Sequence, residues 1–204
     1  MDGILATTQE VRAHYGAPNP RSLLKQLDGL DGHARHFIAL SPFVVIASAD
    51  AEGRADATPR GDLPGFVAVL DDRTLLVPDR RGNNRVDTML NVVVNPQVGL
   101  LFMVPGVLET LRVNGSARVI TDRALLAHHA VAGKEASAGL LIAVRDAYFH
   151  CGKALIRSDL WNPERHVAKG EMPSLGRILA DQLKDISVEA SDQAIAEGYT
   201  NRLY

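Results

Sequence analysis

The chain has 204 residues, enough for one domain with a sizeable core. Its formal net charge is −2, which excludes a globally basic binder of nucleic acid or membrane surfaces, so any anion site must be local. A single cysteine, Cys151, excludes an intrachain disulfide and a zinc site of paired cysteines. No apolar run reaches the ~18 residues of a membrane-spanning helix. The start MDGILATTQE lacks a basic then apolar leader pattern, and a cytoplasmic protein is expected.

The first forty residues read as helical. TTQEVRAHYG ends on a glycine, a common helix stop, and NPRSLLKQLDGL and GHARHFIALS carry apolar residues at helical spacing up to Pro42. β structure follows. FVVIASAD is a β-branched run closed by the turn AEG, and RADATPRGD is a shorter, more polar strand. GFVAVLDDRTLLVP gives two strands around an Asp-Asp-Arg turn, and QVGLLFMV and ETLRVNGSARVI bring the candidates to six. Closely spaced strands with tight turns predict an antiparallel barrel or sandwich.

One helix interrupts the strands. Val86, Met89, Leu90, Val93 and Val94 recur at helical spacing as one apolar stripe, and Pro96 stops it. TDRALLAHHAVA predicts a second helix capped by Thr121 or Asp122. GLLIAVRDAYF begins as a strand and turns helical into HCGKALIRS. The tail holds two helical segments, PSLGRILADQLKDI and SDQAIAEGY.

The richest local chemistry lies in VPDRRGNNRVD, residues 77–87, a strand-to-helix turn with three arginines and two asparagines. Asn83 or Asn84 is placed to cap a helix starting near Arg85. Free N–H groups and the helix dipole favour an anion there, and a bound anion would relieve the awkward position of Arg85 in a first helical turn. Guanidinium suits phosphate through its paired in-plane donors. The alternative is a solvated basic turn with an asparagine cap. A second feature, ATPRGDLPGF, sets Arg60 at a strand end beside Gly61, with prolines that hold the backbone open.

From DATPRGDLPGF through NNRVDTML and NPQVGLLF to ETLRVNGSARV, the sequence resembles the FMN-binding split β-barrel of the pyridoxamine 5′-phosphate oxidase-like superfamily. FHCGKALIRSDLW is similar to the C-terminal signature of a bacterial branch of FMN-dependent enzymes. The resemblance implies a mainly β fold with flanking helices: N-terminal helices over 1–40, the split barrel over 41–162 and a helical tail over 163–204, one structural domain overall. It implies a homodimer with FMN at the subunit interface and an FMN-dependent oxidoreductase, oxidase or reductase, acting on a small organic substrate. A flavin carrier or redox sensor without turnover, and a relative holding deazaflavin or haem, are the alternatives.

Carried over by motif, the resemblance implies that Arg60, Asn83, Asn84 and Arg85 hold the FMN phosphate and ribityl chain. Val77 and Pro78 would lie along the flavin through backbone groups. Glu109 and Thr110 would contribute from the strand after NPQVGLLF. Lys153, Arg157, Ser158 and Trp161 would close the site, with the partner subunit as one possible source. The segments AVAGKEASAGLL and LWNPERHVAKG lack the arginine, serine and histidine pattern that true pyridoxamine phosphate oxidases use for substrate. Vitamin B6 oxidation is therefore not implied, and no catalytic acid or base is assigned. Adjacent His128 and His129 point in different directions on a helix, so no metal pair is expected. In the His150-Cys151 pair a His⁺ could activate the thiol, but a buried, inert cysteine is the expected reading.

Overall fold

The computed structural model describes residues 3–184 and 186–203. Three helices open the chain: α1 (Thr8–Tyr15), α2 (Pro20–Leu24) and α3 (Gly32–Leu40). α1 starts in a capping box, with the Thr7 side chain accepting from the Glu10 N–H and the Glu10 carboxylate accepting from the Thr7 N–H. α1 and α2 bury no residue, whereas α3 sets Ala34, Phe37 and Ile38 into the core.

Seven strands follow: β1 (Phe43–Ala49), β2 (Ala55–Gly61), β3 (Ala68–Asp71), β4 (Thr74–Asp79), β5 (Gln97–Met103), β6 (Thr110–Ile120) and β7 (Ala138–His150). They form one antiparallel sheet in the order β2-β1-β5-β6-β7-β4-β3. The sheet is not a closed barrel, because β2 and β3 are edges that do not pair. The expected fold class is thus observed, and the run GLLIAVRDAYF is wholly strand, the longest of the seven.

Alternation decides what is buried. Val44 and Ile46 of β1, Leu100 and Phe102 of β5, and Leu111 and Val113 of β6 point inward and are almost fully buried. Each such side chain stabilises the fold by roughly 1.5–3 kcal/mol relative to exposure. β4 is buried on both faces: Leu75 and Val77 join the main core, while Leu76 packs with Leu126 and Ala136 in a smaller one. That explains its continuous apolar run. At the β6–β7 bulge a Cβ on Gly115 would run into the Ala143 carbonyl, so only glycine allows the strands this approach.

Helix α4 (Asp87–Val94) bridges β4 and β5, and α5 (Arg123–Ala127), capped by Asp122, bridges β6 and β7. α4 packs through Thr88 and Val92, and Asn91 Nδ2 donates to Ser48 Oγ at 3.0 Å. Met89 of its apolar stripe packs against the core, whereas Leu90, Val93 and Val94 face outward and are 61%, 74% and 59% exposed. After β7 come α6 (Lys153–Ser158), a short 3-10 turn (Pro163–Arg165), α7 (Leu175–Leu183) and α8 (Val188–Asn201). Among the described residues no helix is long and apolar enough to cross a membrane.

Candidate anion-binding site at the ends of two strands

The ends of β2 and β4 meet although four strands lie between them in the sheet. Two crossed ion pairs join them. Arg60 Nη1 donates to Asp79 Oδ1 at 2.8 Å, and Arg80 Nε donates to Asp62 Oδ2 at 2.6 Å. Arg80 Nη2 also donates to the His129 carbonyl at 3.0 Å. The Asp62 side chain is 1% exposed, so its charge depends on that partner. Burial pushes the Asp79 carboxyl above its ordinary range, outweighing the downward pull of the Arg60 guanidinium. Burial holds the His129 imidazole below its usual range, and the neighbouring His128 and Arg80 act in the same direction.

The turn after Arg80 departs from the expected cap. Asn83 Oδ1 accepts from the Arg85 N–H at 3.1 Å, closing a turn before the helix rather than capping it. α4 begins at Asp87, its N-cap is Val86, and no side chain caps it. Arg85 therefore precedes the helix, and its Nε donates to Asp87 Oδ2 at 2.9 Å, which relieves the conflict expected of a cation in the first turn. Asp87 itself complements the helix dipole. Asn84 and Val86 hold left-handed backbone, φ 60° and 51°. A β-branched residue there is strained, and such strain gathers at sites whose geometry must be held.

Strand ends and turn enclose a polar cavity of about 270 Å³ that brings together Arg60, Asn83, Asn84 and Arg85. Its lining holds three guanidiniums, of Arg60, Arg80 and Arg85, against three carboxylates, of Asp56, Asp79 and Asp87. The Arg60 and Arg85 guanidiniums each offer five donors and each makes one of the bonds described above, so donors remain for an anion. A second cavity, of about 380 Å³, shares Asp79, Arg80, Gly82 and Asn84 with the first and continues past Lys134 and Ser137.

The other expected site residues lie elsewhere in the chain. Val77 and Pro78 are buried in β4 opposite Leu140 and Gly139 of β7. Thr110 is buried opposite His150, and Glu109 is exposed beside it. Lys153, Arg157 and Ser158 sit exposed on α6. The helix is held against the β5–β6 connection: Gly152 packs on Leu108, and Trp161 Nε1 donates to the Val107 carbonyl at 2.8 Å. Glu109, Thr110 and the α6 residues lie at the opposite end of β7 from Val77 and Pro78, and none of these residues lines the Arg60 cavity. Cys151 is exposed, not buried as expected, because it follows the last residue of β7 on the way to α6. His150 is held below its usual range, first by burial and then by Arg112 and Lys25.

Sequence reasoning missed Asp62 and Asp79. Their signal was present as opposite charges close together at two strand ends, Arg60-Gly61-Asp62 and Asp79-Arg80, but only the fold shows that they cross-pair.

A family model described as pyridoxamine 5′-phosphate oxidase matches residues 30–151, more than half of the chain. The chain belongs to that family. The match spans the whole sheet and both ion pairs and ends before α6. Among solved structures, a HupZ variant of Group A Streptococcus is 18% identical with a TM-score of 0.50, over 59% of this chain and 98% of HupZ. A Clostridium acetobutylicum protein related to general stress protein 26, of the pyridoxinephosphate oxidase family, is 12% identical with a TM-score of 0.45, over 58% and 86% of the two chains. HutZ, the haem storage protein of Vibrio cholerae, is 15% identical with a TM-score of 0.42, over 60% and 94%. At such identities the likeness is one of fold. No curated protein matches the sequence.

Proposed function

We propose that the protein binds FMN and is an FMN-dependent oxidoreductase acting on a small organic molecule, as a homodimer with FMN at the subunit interface. The observation that carries this reading is the convergence of Arg60, Asn83, Asn84 and Arg85 on one cavity. Two guanidiniums and two side-chain amides around one space are the donor set a phosphate monoester requires. The donors fit the group, because each arginine keeps free N–H groups beyond its carboxylate partner.

When bound, FMN supplies the redox chemistry, passing a hydride or electrons to or from the substrate. Arg60 and Arg85 neutralise and orient the phosphate, and Asn83 and Asn84 donate to it or to the ribityl chain. The Asp79 and Asp87 carboxylates hold the two guanidiniums in place before the ligand arrives, which lowers the ordering cost of binding. Val77 and Pro78 offer main-chain carbonyls along the flavin. Glu109, Thr110, Lys153, Arg157, Ser158 and Trp161 form the opposing wall, supplied by the partner subunit, which accounts for their distance from the Arg60 cavity within one chain.

The test is to purify the protein, identify any released cofactor by mass spectrometry, and screen electron donors and acceptors. FMN with steady consumption of NAD(P)H or oxygen is the expected result. FMN without turnover would make the chain a carrier, and deazaflavin or haem in place of FMN would overturn the reading.

A further inference from the structure

A cavity of about 450 Å³ lies behind the same turn, between Arg81, Gly82 and Asn83 and the C-terminal helices. Gly82 and Asn83 line both this cavity and the Arg60 cavity. Its outer wall is formed by α7 and α8, which lie outside the family match. It is therefore a feature of this chain's own tail.

Its chemistry differs from that of the neighbouring cavities. Arg81 and Arg202 line it, with no carboxylate, whereas the Arg60 cavity balances its cations with aspartates. Arg81 has no partner among the described residues. Arg202 makes a hydrogen bond from Nη2 to the Ala194 carbonyl at 3.3 Å and no ion pair among the described residues. Apart from Gly82, Asn83 and Gly198, the rest of the wall is apolar or aromatic: Leu175, Ile195, Leu203 and Tyr199, the last 68% exposed. A Cβ on Gly198 would meet only the Arg202 guanidinium, at 3.6 Å, so the helix leaves open space beside the cation. Two guanidiniums with no ion pair among the described residues, an accessible phenol ring and a volume in the range of small-molecule sites (roughly 300–1,000 Å³) specify an aromatic ring joined to an anion.

We propose that this cavity binds the aromatic, phosphate-bearing end of a nucleotide, with the ring against Tyr199 and the phosphate between Arg81 and Arg202. The inference goes beyond FMN binding and does not need it. One chemistry has two sources here: a free nucleoside monophosphate, or the adenosine monophosphate half of a dinucleotide whose other half occupies the Arg60 cavity across the shared turn.

Isothermal titration of the full chain with AMP, adenosine, FMN and FAD tests it, in the wild type and in Tyr199→Ala and Arg202→Gln. Tyr199 is largely exposed and Arg202 lies beyond the last turn of α8, so neither change removes core packing. AMP should bind at least about tenfold more tightly than adenosine, and each variant should weaken AMP about tenfold while leaving FMN affinity unchanged. FAD exceeding FMN by a margin that Tyr199→Ala removes identifies the dinucleotide. AMP binding with FAD no better than FMN identifies the free nucleotide. AMP failing to bind while FAD and FMN bind equally, or ligand binding indifferent to both variants, overturns the proposal. Loss of FMN binding alone would sink the flavin reading and leave the AMP result standing.

Discussion

Arg60 on β2 and Asp79 on β4 are joined at 2.8 Å although β1, β5, β6 and β7 lie between their strands in the sheet. In a flat sheet at about 4.8 Å per strand those residues would stand roughly 24 Å apart. The ion pair therefore reports that the sheet curls until one edge meets the far side. The crossed Arg80–Asp62 pair fixes the same closure.

Removing one partner should cost more than removing both. Arg60→Met leaves the half-buried Asp79 carboxylate without its guanidinium. A loss of roughly 1–3 kcal/mol is expected, between an exposed pair and a fully buried one. The double variant Arg60→Met/Asp79→Leu should recover most of it. Urea unfolding of the apo protein measures both, and a double variant less stable than the single one would contradict a pair acting mainly to hold charge.

Asp79 also sets a pH dependence. Burial raises its pKa above the ordinary aspartate value of 3.8, so the native state holds this proton more tightly than the unfolded chain. Stability contributed by the neutral carboxyl is present below 3.8 and is lost as pH rises through the raised native value. Asp79→Asn keeps an acceptor for Arg60 but cannot ionise. Its melting temperature relative to wild type should rise across that window from the acid side and then level off. A flat or falling difference would show that Arg60 outweighs desolvation.

The strands were legible because alternating apolar residues write a period of two into each run, and β4, buried on both faces, was legible as a continuous one. The start of α4 was not. An asparagine whose oxygen accepts from the N–H two residues on looks the same in sequence whether it caps a helix or closes a turn before it, and Asn83 does the latter. Arg60, Asn83, Asn84 and Arg85 stood out because donors concentrate at chain reversals. Their carboxylate partners Asp62 and Asp79 did not, since cross-pairing depends on how far the sheet curls. Cys151 was misread because a short residue after an apolar strand resembles core until the strand's end is known.

The α4 stripe carries the dimer prediction. The inward residues of β1 and β5 are buried within one chain. On α4, Leu90, Val93 and Val94 remain exposed along one apolar stripe. Sedimentation at micromolar concentration should show twice the chain mass, and Leu90→Glu/Val93→Glu should shift it to the monomer. A wild-type monomer that still binds FMN tightly would refute a site shared between subunits.

Trp161 reports on the opposing wall. Its indole N–H is held by the Val107 carbonyl, so the ring is fixed beside the β5–β6 connection. If that wall faces FMN in the dimer, FMN should quench Trp161 emission strongly, and its removal should restore the signal. Trp161→Leu should weaken FMN binding more than it lowers apo stability. Quenching with unchanged affinity in the variant would set the ring near the site but outside it, and no quenching at saturating FMN would remove it from the wall.

The most direct test of the phosphate site is a paired titration of apo protein with FMN and with riboflavin, which lacks the phosphate, in the wild type and in Arg85→Ala. Arg85 is largely exposed and its bonds are local, so the variant should keep its fold. A charge-assisted contact contributes on the order of 1.5–3 kcal/mol, or roughly ten- to a hundredfold in affinity. The wild type should prefer FMN, and Arg85→Ala should lose most of that preference while binding riboflavin as before. Equal affinity for FMN and riboflavin in the wild type, or an undiminished preference in Arg85→Ala, would contradict a phosphate held by this turn.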